Sequence, residues 1–314
     1  MHAPAPCADT SASAGGLVPF LPAVDARAAS GGRSARLESI LRRRDEYITE
    51  TGDSIERDLA RIADELGARI VEALESRGLG DIRVAVDTTT LEDVLDILHE
   101  LGVNDSQAAW FERLRTLAGY AEDAAVAAGM RREDISLDQE GLAAALDARY
   151  QDAASWWDAT IERPLAQGIL DGLQDARALT TLDDLSARLS QRARISLPAA
   201  VTEARTQTAV VDRFIGAEIA ASADPDGEDL RWGYVGPIDG IQRPFCRALV
   251  GRFFRRAELS DLDNGTPLPH PVFSCGGYNC RHSWVQAPAA LLEARGLSEG
   301  GPADITRANQ GASR

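Results

Sequence analysis

Ile55, Leu59, Ile62, Leu66, Ile70 and Leu74 recur at spacings of three and four, so they share one face of a helix. Glu56, Arg57, Asp58, Arg61 and Glu65 fall between them, and the pattern predicts one long amphipathic helix over about 36–77. Gly52 is a break near its middle, and Gly78 and Gly80 mark its end. With no obvious partner in the neighbouring sequence, its apolar stripe is free to lie against another subunit. The segment 82–86 alternates and reads as a short strand or an irregular connection. Helical patterns resume over 90–98, behind a polar cap, and from Gln107 to about Ala128, with Trp110, Phe111, Leu114 and Leu117. The region 137–175 is helical, holds Trp156 and Trp157 as packing residues, and is kinked or interrupted at Pro164. Thr181-Leu-Asp-Asp184 fits a capping box opening a helix to about Arg194. Ser196 and Pro198 start another, reaching about Ala221.

The pattern changes at the acidic, turn-rich stretch 223–229. Beyond it the chain gains Gly, Pro, aromatics and Cys, and the segments 231–235 and 250–254 predict short strands. One short helix follows over 289–295, and the residues from Gly300 read as a disordered tail. The start of the chain is rich in Ala, Pro, Ser and Gly. Its apolar run 16–24 is broken by Pro19 and Pro22 and lacks a basic flank, which argues against a signal peptide and for a flexible arm. The fold class expected is a mainly α N-terminal region with a long helix, followed by a small α+β C-terminal domain with a Cys/His cluster. The divisions are an arm over 1–33, a helical region over 34–222, the C-terminal domain over 223–288, and a short helix with a tail over 289–314.

Charge narrows the function classes. The net charge is −16, and all 33 basic residues are Arg, with no Lys. Codon bias of a GC-rich genome accounts for the Arg and Ala. A salty host cytoplasm, where excess carboxylate is screened, is the second explanation. Either way the whole chain is a poor general binder of nucleic acid, so any DNA contact needs a local basic patch. No apolar run reaches the length of a membrane span, and no membrane partner is expected. A protein that starts in a reducing cytoplasm rarely holds disulfides.

The chemistry is concentrated in one window. Three of the four Cys and two of the four His fall in it: Cys246, His270, Cys275, Cys280 and His282. Arg231, Arg243, Arg247, Arg252, Arg255, Arg256 and Arg281 make the same window mildly positive. The string Gly276-Gly-Tyr-Asn-Cys-Arg-His-Ser-Trp284 resembles the C-terminal signature of the phage head morphogenesis, or minor head, proteins typified by the F protein of phage Mu. Asp239-Gly-Ile-Gln-Arg-Pro-Phe-Cys246 resembles that family's upstream segment, and Leu249-Val-Gly-Arg-Phe-Phe254 follows at a similar distance. The helix ending in Glu203-Ala-Arg-Thr206 also fits, so the resemblance covers about 195–286. It implies a low-copy structural protein of the virion head, near the portal or the inner capsid face, made in the host cytoplasm. It implies work in capsid assembly or DNA packaging, with portal protein, major capsid protein or packaged double-stranded DNA as partners, and an oligomeric setting in the virion. The helical region would then face the portal. Some relatives carry a fused toxin module; little chain remains here after Trp284 to hold one.

Cys246, Cys280 and His282 match the family's pattern and are the first candidates to hold a structural zinc, with Cys275 or His270 as a fourth ligand. The spacing lacks a paired C-x-x-C knuckle, so two other readings stay open: a packed cluster of free thiols with a hydrogen-bonded His, and a disulfide such as Cys246–Cys280. Gly276 and Gly277 predict a tight turn with positive φ, and Arg281 either bonds carbonyls or pairs with Asp239. Arg243, Arg247, Arg255, Arg256 and Arg281 are the candidate contacts to DNA or to a partner. Catalysis is not expected. A Cys nucleophile with His and Asp239 has no spacing that demands it, and no H-E-x-x-H, P-loop or dinucleotide fingerprint occurs. His99 reads as a surface residue. The alternatives to a head protein are a zinc-stabilised nucleic-acid-binding module and a Cys- or zinc-dependent hydrolase.

Overall fold

The computed structural model describes residues 31–76, 89–135, 140–175 and 182–312. The arm to residue 30, the glycines at 78 and 80, the segment 82–86 and the capping box at 181 lie outside them.

The long helix forms as its pattern predicts. Helix α1 spans Gly31–Ser76, and its whole stripe from Ile55 to Leu74 is buried. The stripe is covered from within the chain, by α2 (Leu91–Glu100), α3 (Val103–Ala128), α5 (Arg163–Asp175) and α6 (Leu182–Ala223). The apolar face is therefore used in the protein's own core rather than left for a neighbouring subunit. Thr90 caps α2 through a reciprocal pair: its Oγ1 accepts from the Asp93 N–H at 3.2 Å, and Asp93 Oδ2 accepts from the Thr90 N–H at 2.8 Å.

Two expectations about breaks are corrected and a third is met. Gly52 does not interrupt α1. The side chain of Arg205, from α6, crosses there, and a Cβ at Gly52 would stand 2.5 Å from its Cγ. Arg205 is then tied to Asp53 and Glu56, each at 2.7 Å. Pro198 does not open a new helix; it lies inside the continuous α6. An internal proline costs about 3 kcal/mol. Leu189 and Ala193 before it and Ala204 after it are all buried in one core, and that burial outweighs the lost hydrogen bond. Pro164 does accompany an interruption, as expected. Helix α4 (Glu140–Trp157) runs into a widened turn over Asp158–Glu162, where the Arg163 N–H reaches back to Asp158 O, and α5 continues the axis. A proline has no N–H for the usual i−4 carbonyl, and a π-type turn absorbs the mismatch.

Trp110, Trp156 and Trp157 pack together, with Trp110 5.6 Å and 5.4 Å from the other two rings. The buried Trp110 Nε1–H donates to Thr208 Oγ1 at 2.9 Å, joining α3 to α6. His99 lies on the rim of α2, where its Nε2 meets Glu162 at 2.6 Å.

The C-terminal part is a four-stranded mixed sheet, order β3-β1-β2-β4, with short helices around it. Strand β1 (Leu230–Val235) pairs antiparallel with β2 (Arg252–Phe254) and β3 (Ser283–Pro288), and β2 pairs parallel with β4 (Ser298–Glu299). Both faces are buried, and alternation sorts the side chains between them. Trp232, Tyr234, Phe254 and Trp284 enter one core with Phe245 and Leu249 of α7 (Pro244–Leu249). Val235, Phe253, Val285 and Ala287 enter another with Leu37 and Ile40 of α1 and Ala124 of α3. The first turns of the long helix are thus part of the C-terminal core.

Short helices α8 (Pro271–Ser274) and α9 (Ala289–Ala294) flank β3. The tail expectation is corrected: Pro302–Ala312 forms helix α10, which packs on α7 through buried Ile305 and Ala308. Polar composition hid that three-residue spacing. Asn309 secures the helix further, donating to Asp261 O at 2.7 Å and accepting from the Asp263 N–H at 2.9 Å. No helix among the described residues is long and apolar enough to cross a membrane.

The tightest helix contact gives a test. A Cβ at Gly67 on α1 would lie 2.2 Å from the Ser186 carbonyl oxygen on α6. Backbone cannot swing aside as a side chain can, so Gly67→Ala is expected to lower stability by about 1–3 kcal/mol in urea unfolding, despite alanine's better helix propensity. A stabilised variant would show that the two helices do not approach this closely.

Candidate metal centre

Three separate elements supply the cluster. Cys246 sits in α7, which Pro244 starts. Cys280 and His282 come from the loop between α8 and β3, and Tyr234 reaches in from β1. All three ligand atoms of Cys246, Cys280 and His282 lie within 4.8 Å of one another, and all three residues are buried. Cys246 Sγ and Cys280 Sγ are 3.6 Å apart, and Cys280 Sγ is 3.8 Å from His282 Nδ1. This group is able to hold a metal ion. Cys246, Cys275 and Cys280 are free thiols here, so the disulfide reading is not the state the structure shows.

The loop's conformation follows from crowding around sulfur. Gly277 takes φ 97°, as expected, but Gly276 does not share the positive φ; Cys275 (50°) and Asn279 (52°) do. Gly276 is needed for space, since a Cβ there would stand 2.3 Å from Cys246 Sγ and 3.2 Å from Cys280 Sγ. Its N–H donates to Cys280 Sγ at 3.2 Å. The two proposed fourth ligands separate. Cys275 is fully buried beside Cys280, while His270 is exposed and spends its Nδ1 accepting from the Val272 N–H at 3.3 Å, away from the cluster. His270 is withdrawn as a ligand because that bond caps α8.

Protons are unevenly shared. Hydrogen bonds from Cys246, Cys275 and His282, with the charge of Arg213, hold the Cys280 thiol well below its usual range. Donating to Cys280, together with burial, pushes Cys246 up, and burial pushes Cys275 up. Of the three sulfurs, that of Cys280 is thus the one held towards the thiolate, the form that binds metal. Gln242 Nε2 is 3.1 Å from His282 Nε2, leaving Nδ1 to face the sulfurs, and Tyr234 stacks on the imidazole at 5.3 Å. Such an outer partner fixes the ring's orientation.

Arg213 was not singled out by the sequence, yet it holds the loop. It is buried on α6 and donates to Phe273 O at 3.0 Å, Cys280 O at 2.7 Å and His282 O at 2.7 Å. The available signal was a charged pair inside the apolar run Val210-Val-Asp-Arg-Phe-Ile215. The pairing of Arg281 with Asp239 is present at 2.6 Å. Arg243 donates to Tyr278 O at 2.5 Å and Arg247 to Gln242 O at 3.3 Å. Three of the five candidate contact arginines thus bind their own loops, and exposed Arg255 and Arg256 stand apart, beside β2.

Cys280 and His282 also form part of the wall of a cavity of about 490 Å³ between α1, α6 and the loop. Asp45 and Asp212 line it. Burial raises Asp212, and burial pushes Asp45 up to about 6. No protein-family model, curated protein or solved structure matches the chain.

Two tests follow. Arg213→Lys removes the planar fork that serves three buried carbonyls, so it is expected to cost about 1–3 kcal/mol in urea unfolding; an unchanged midpoint would dismiss the anchoring role. For Asp45, the folded pKa lies above its ordinary value of 3.8. Its contribution to stability is therefore lost as pH rises from about 4 to 6, reaching a cost of order 3 kcal/mol above that window. Asp45→Asn should be stabilising at pH 8 and neutral near pH 3.5, read from paired denaturation curves. Equal effects at both pH values would show that Asp45 ionises normally.

Proposed function

We propose that this chain is a structural minor head protein of a tailed phage, a low-copy component of the virion head that acts in assembly or packaging near the portal, and that its C-terminal unit is stabilised by zinc. One observation carries the reading. The two segments that resemble the head morphogenesis family, 239–246 and 276–284, are separated in sequence but converge in space: Cys246 meets Cys280 in the buried cluster, and Asp239 pairs with Arg281 at the surface beside it. Residues that a family signature keeps together are here the residues that hold one loop in place.

Zinc fits the donor set. Tetrahedral zinc with thiolate and imidazole ligands puts neighbouring donor atoms about 3.6–3.8 Å apart. The cluster's sulfur–sulfur spacing of 3.6 Å and sulfur–nitrogen spacing of 3.8 Å agree with that edge. Cys246, Cys280 and His282 would hold the ion, and Cys275, buried beside Cys280, lies outside that group of mutually close donor atoms. The ion would link α7 to the loop before β3, a structural role that calls for no substrate. The partners are the portal protein and the major capsid protein. A DNA role is the weaker reading, because three of the five candidate arginines already serve the fold.

The full-length chain should co-purify with co-expressed portal protein and appear in few copies in assembled heads. Its absence from both would sink the head-protein reading. Plasma mass spectrometry should find about one zinc per chain, lost in Cys280→Ala. Zinc-free protein with reactive thiols would remove the metal while leaving the assembly role standing.

A further inference from the structure

The thiols of Cys246 and Cys280 are in contact. Their sulfurs are 3.6 Å apart, both residues are buried, and neither is in a disulfide. A disulfide places its sulfurs about 2.05 Å apart, and rotation of two side chains about χ1 covers a closure of this size. Room for the two sulfurs is already kept. Gly276 brings no Cβ, and one placed there would stand 2.3 Å from Cys246 Sγ and 3.2 Å from Cys280 Sγ. The Gly276 N–H donates to Cys280 Sγ at 3.2 Å and the Tyr234 hydroxyl to Cys246 Sγ at 3.4 Å. Sulfur is a weak acceptor in either redox state, so oxidation leaves both donors a partner.

Cys280 is also reachable. It lines the cavity of about 490 Å³, whose wall includes the exposed Thr49, Ile241 and Arg281. Cys275 is the competing partner, buried beside Cys280. Cys275 and Cys280 flank the one tight turn at Gly277, so a bond between them would constrain little chain. Cys246 and Cys280 are 34 positions apart and lie on separate elements, so a bond between them ties α7 to the loop before β3.

We propose that Cys246 and Cys280 form a reversible dithiol–disulfide couple, oxidised by low-molecular-weight disulfides, and that this bond replaces the metal as the tie between α7 and the loop when the surroundings become oxidising. The Cys280 sulfur gives up its proton and attacks one sulfur of the small disulfide, whose other half leaves as a thiol. Cys246 then gives up its proton and attacks the Cys280 sulfur, expelling the second small thiol. Two protein thiols lose two electrons and two protons, and one small disulfide becomes two small thiols. The metal and the bond exclude each other, because the thiolate is the ligating form of cysteine. Replacement of the metal rests on the zinc reading, and its use between host cytoplasm and exterior rests on the head-protein reading. The couple itself rests on neither.

The test uses the full-length chain carrying Cys7→Ser, since Cys7 lies outside the described residues, after treatment with a chelator. The folded protein is incubated with bis(2-hydroxyethyl) disulfide, then unfolded and alkylated with N-ethylmaleimide, and linked peptides are identified by mass spectrometry. Expected are one bond per chain joining Cys246 to Cys280, an alkylated Cys275, full reversal by dithiothreitol, and a urea midpoint above that of the reduced, metal-free chain. Cys275→Ser should leave the bond in place. Thiols that all stay free in the folded protein, or a bond through Cys275, would overturn the proposal. The mapping needs no substitution within the couple, so it does not depend on whether Cys246→Ser folds. A parallel incubation with zinc separates this proposal from the zinc reading. Bond formation slowed about tenfold or more supports replacement of the metal. An unchanged rate removes the metal and its replacement, and the couple then stands or falls on the peptide map alone.

Discussion

A single guanidinium, that of Arg213, decides how the two halves of this protein meet. It projects from the last third of α6, within the apolar stretch 210–215, and enters the C-terminal unit, where it donates to three main-chain carbonyls. Two of those carbonyls belong to Cys280 and His282, so the hydrogen bonds fix the backbone that carries the cluster. A buried charge of this kind is costly unless its donors are used, and carbonyls left without it would be equally costly. The anchor and the loop are therefore conditional on each other. The loop's left-handed residues, Cys275 and Asn279, are strained positions for side-chain-bearing residues and persist because this contact and the crowding around Gly276 leave no alternative.

The same helix carries the opposite charge one residue earlier. Asp212 faces the cavity while Arg213 faces the loop, so adjacent positions on α6 serve two different sites. Arg44 of α1 reaches both Asp212 and Ser283 and links the long helix to the start of β3. Charged groups are thus concentrated at the junction of α1, α6 and the sheet, between two hydrophobic cores that would each tolerate an apolar surface there. Burying the Arg44–Asp212 pair at this place costs desolvation that neutral, well-packed residues would not.

The metal-binding group depends on this junction but does not create it. A metal at Cys246, Cys280 and His282 would tie α7 to the loop, a local clamp over a segment rich in turns and short of regular hydrogen bonds. The ion's role would then be mechanical.

The sequence alone determined the features that depend on local periodicity. The stripe from Ile55 to Leu74 specified its helix, the acidic break at 223 marked the change to strands, and the co-occurrence of Cys246, Cys280 and His282 pointed to their cluster. It also misread several features set by a distant partner, although it did offer the pairing of Arg281 with Asp239. Gly52 looked like a break because Arg205, more than a hundred residues away, was not visible as the side chain that needs the space. Pro198 looked like a start because the core burial that carries α6 across it comes from other helices. The tail looked disordered because Ile305 and Ala308 have meaning only against α7. His270 and Cys275 were equivalent by spacing, and only the path of the loop separated them. The cavity acids were illegible for the same reason. A carboxylate's environment is fixed by what surrounds it in space, and only the tertiary structure brings α1, α6 and the loop together around Asp45 and Asp212.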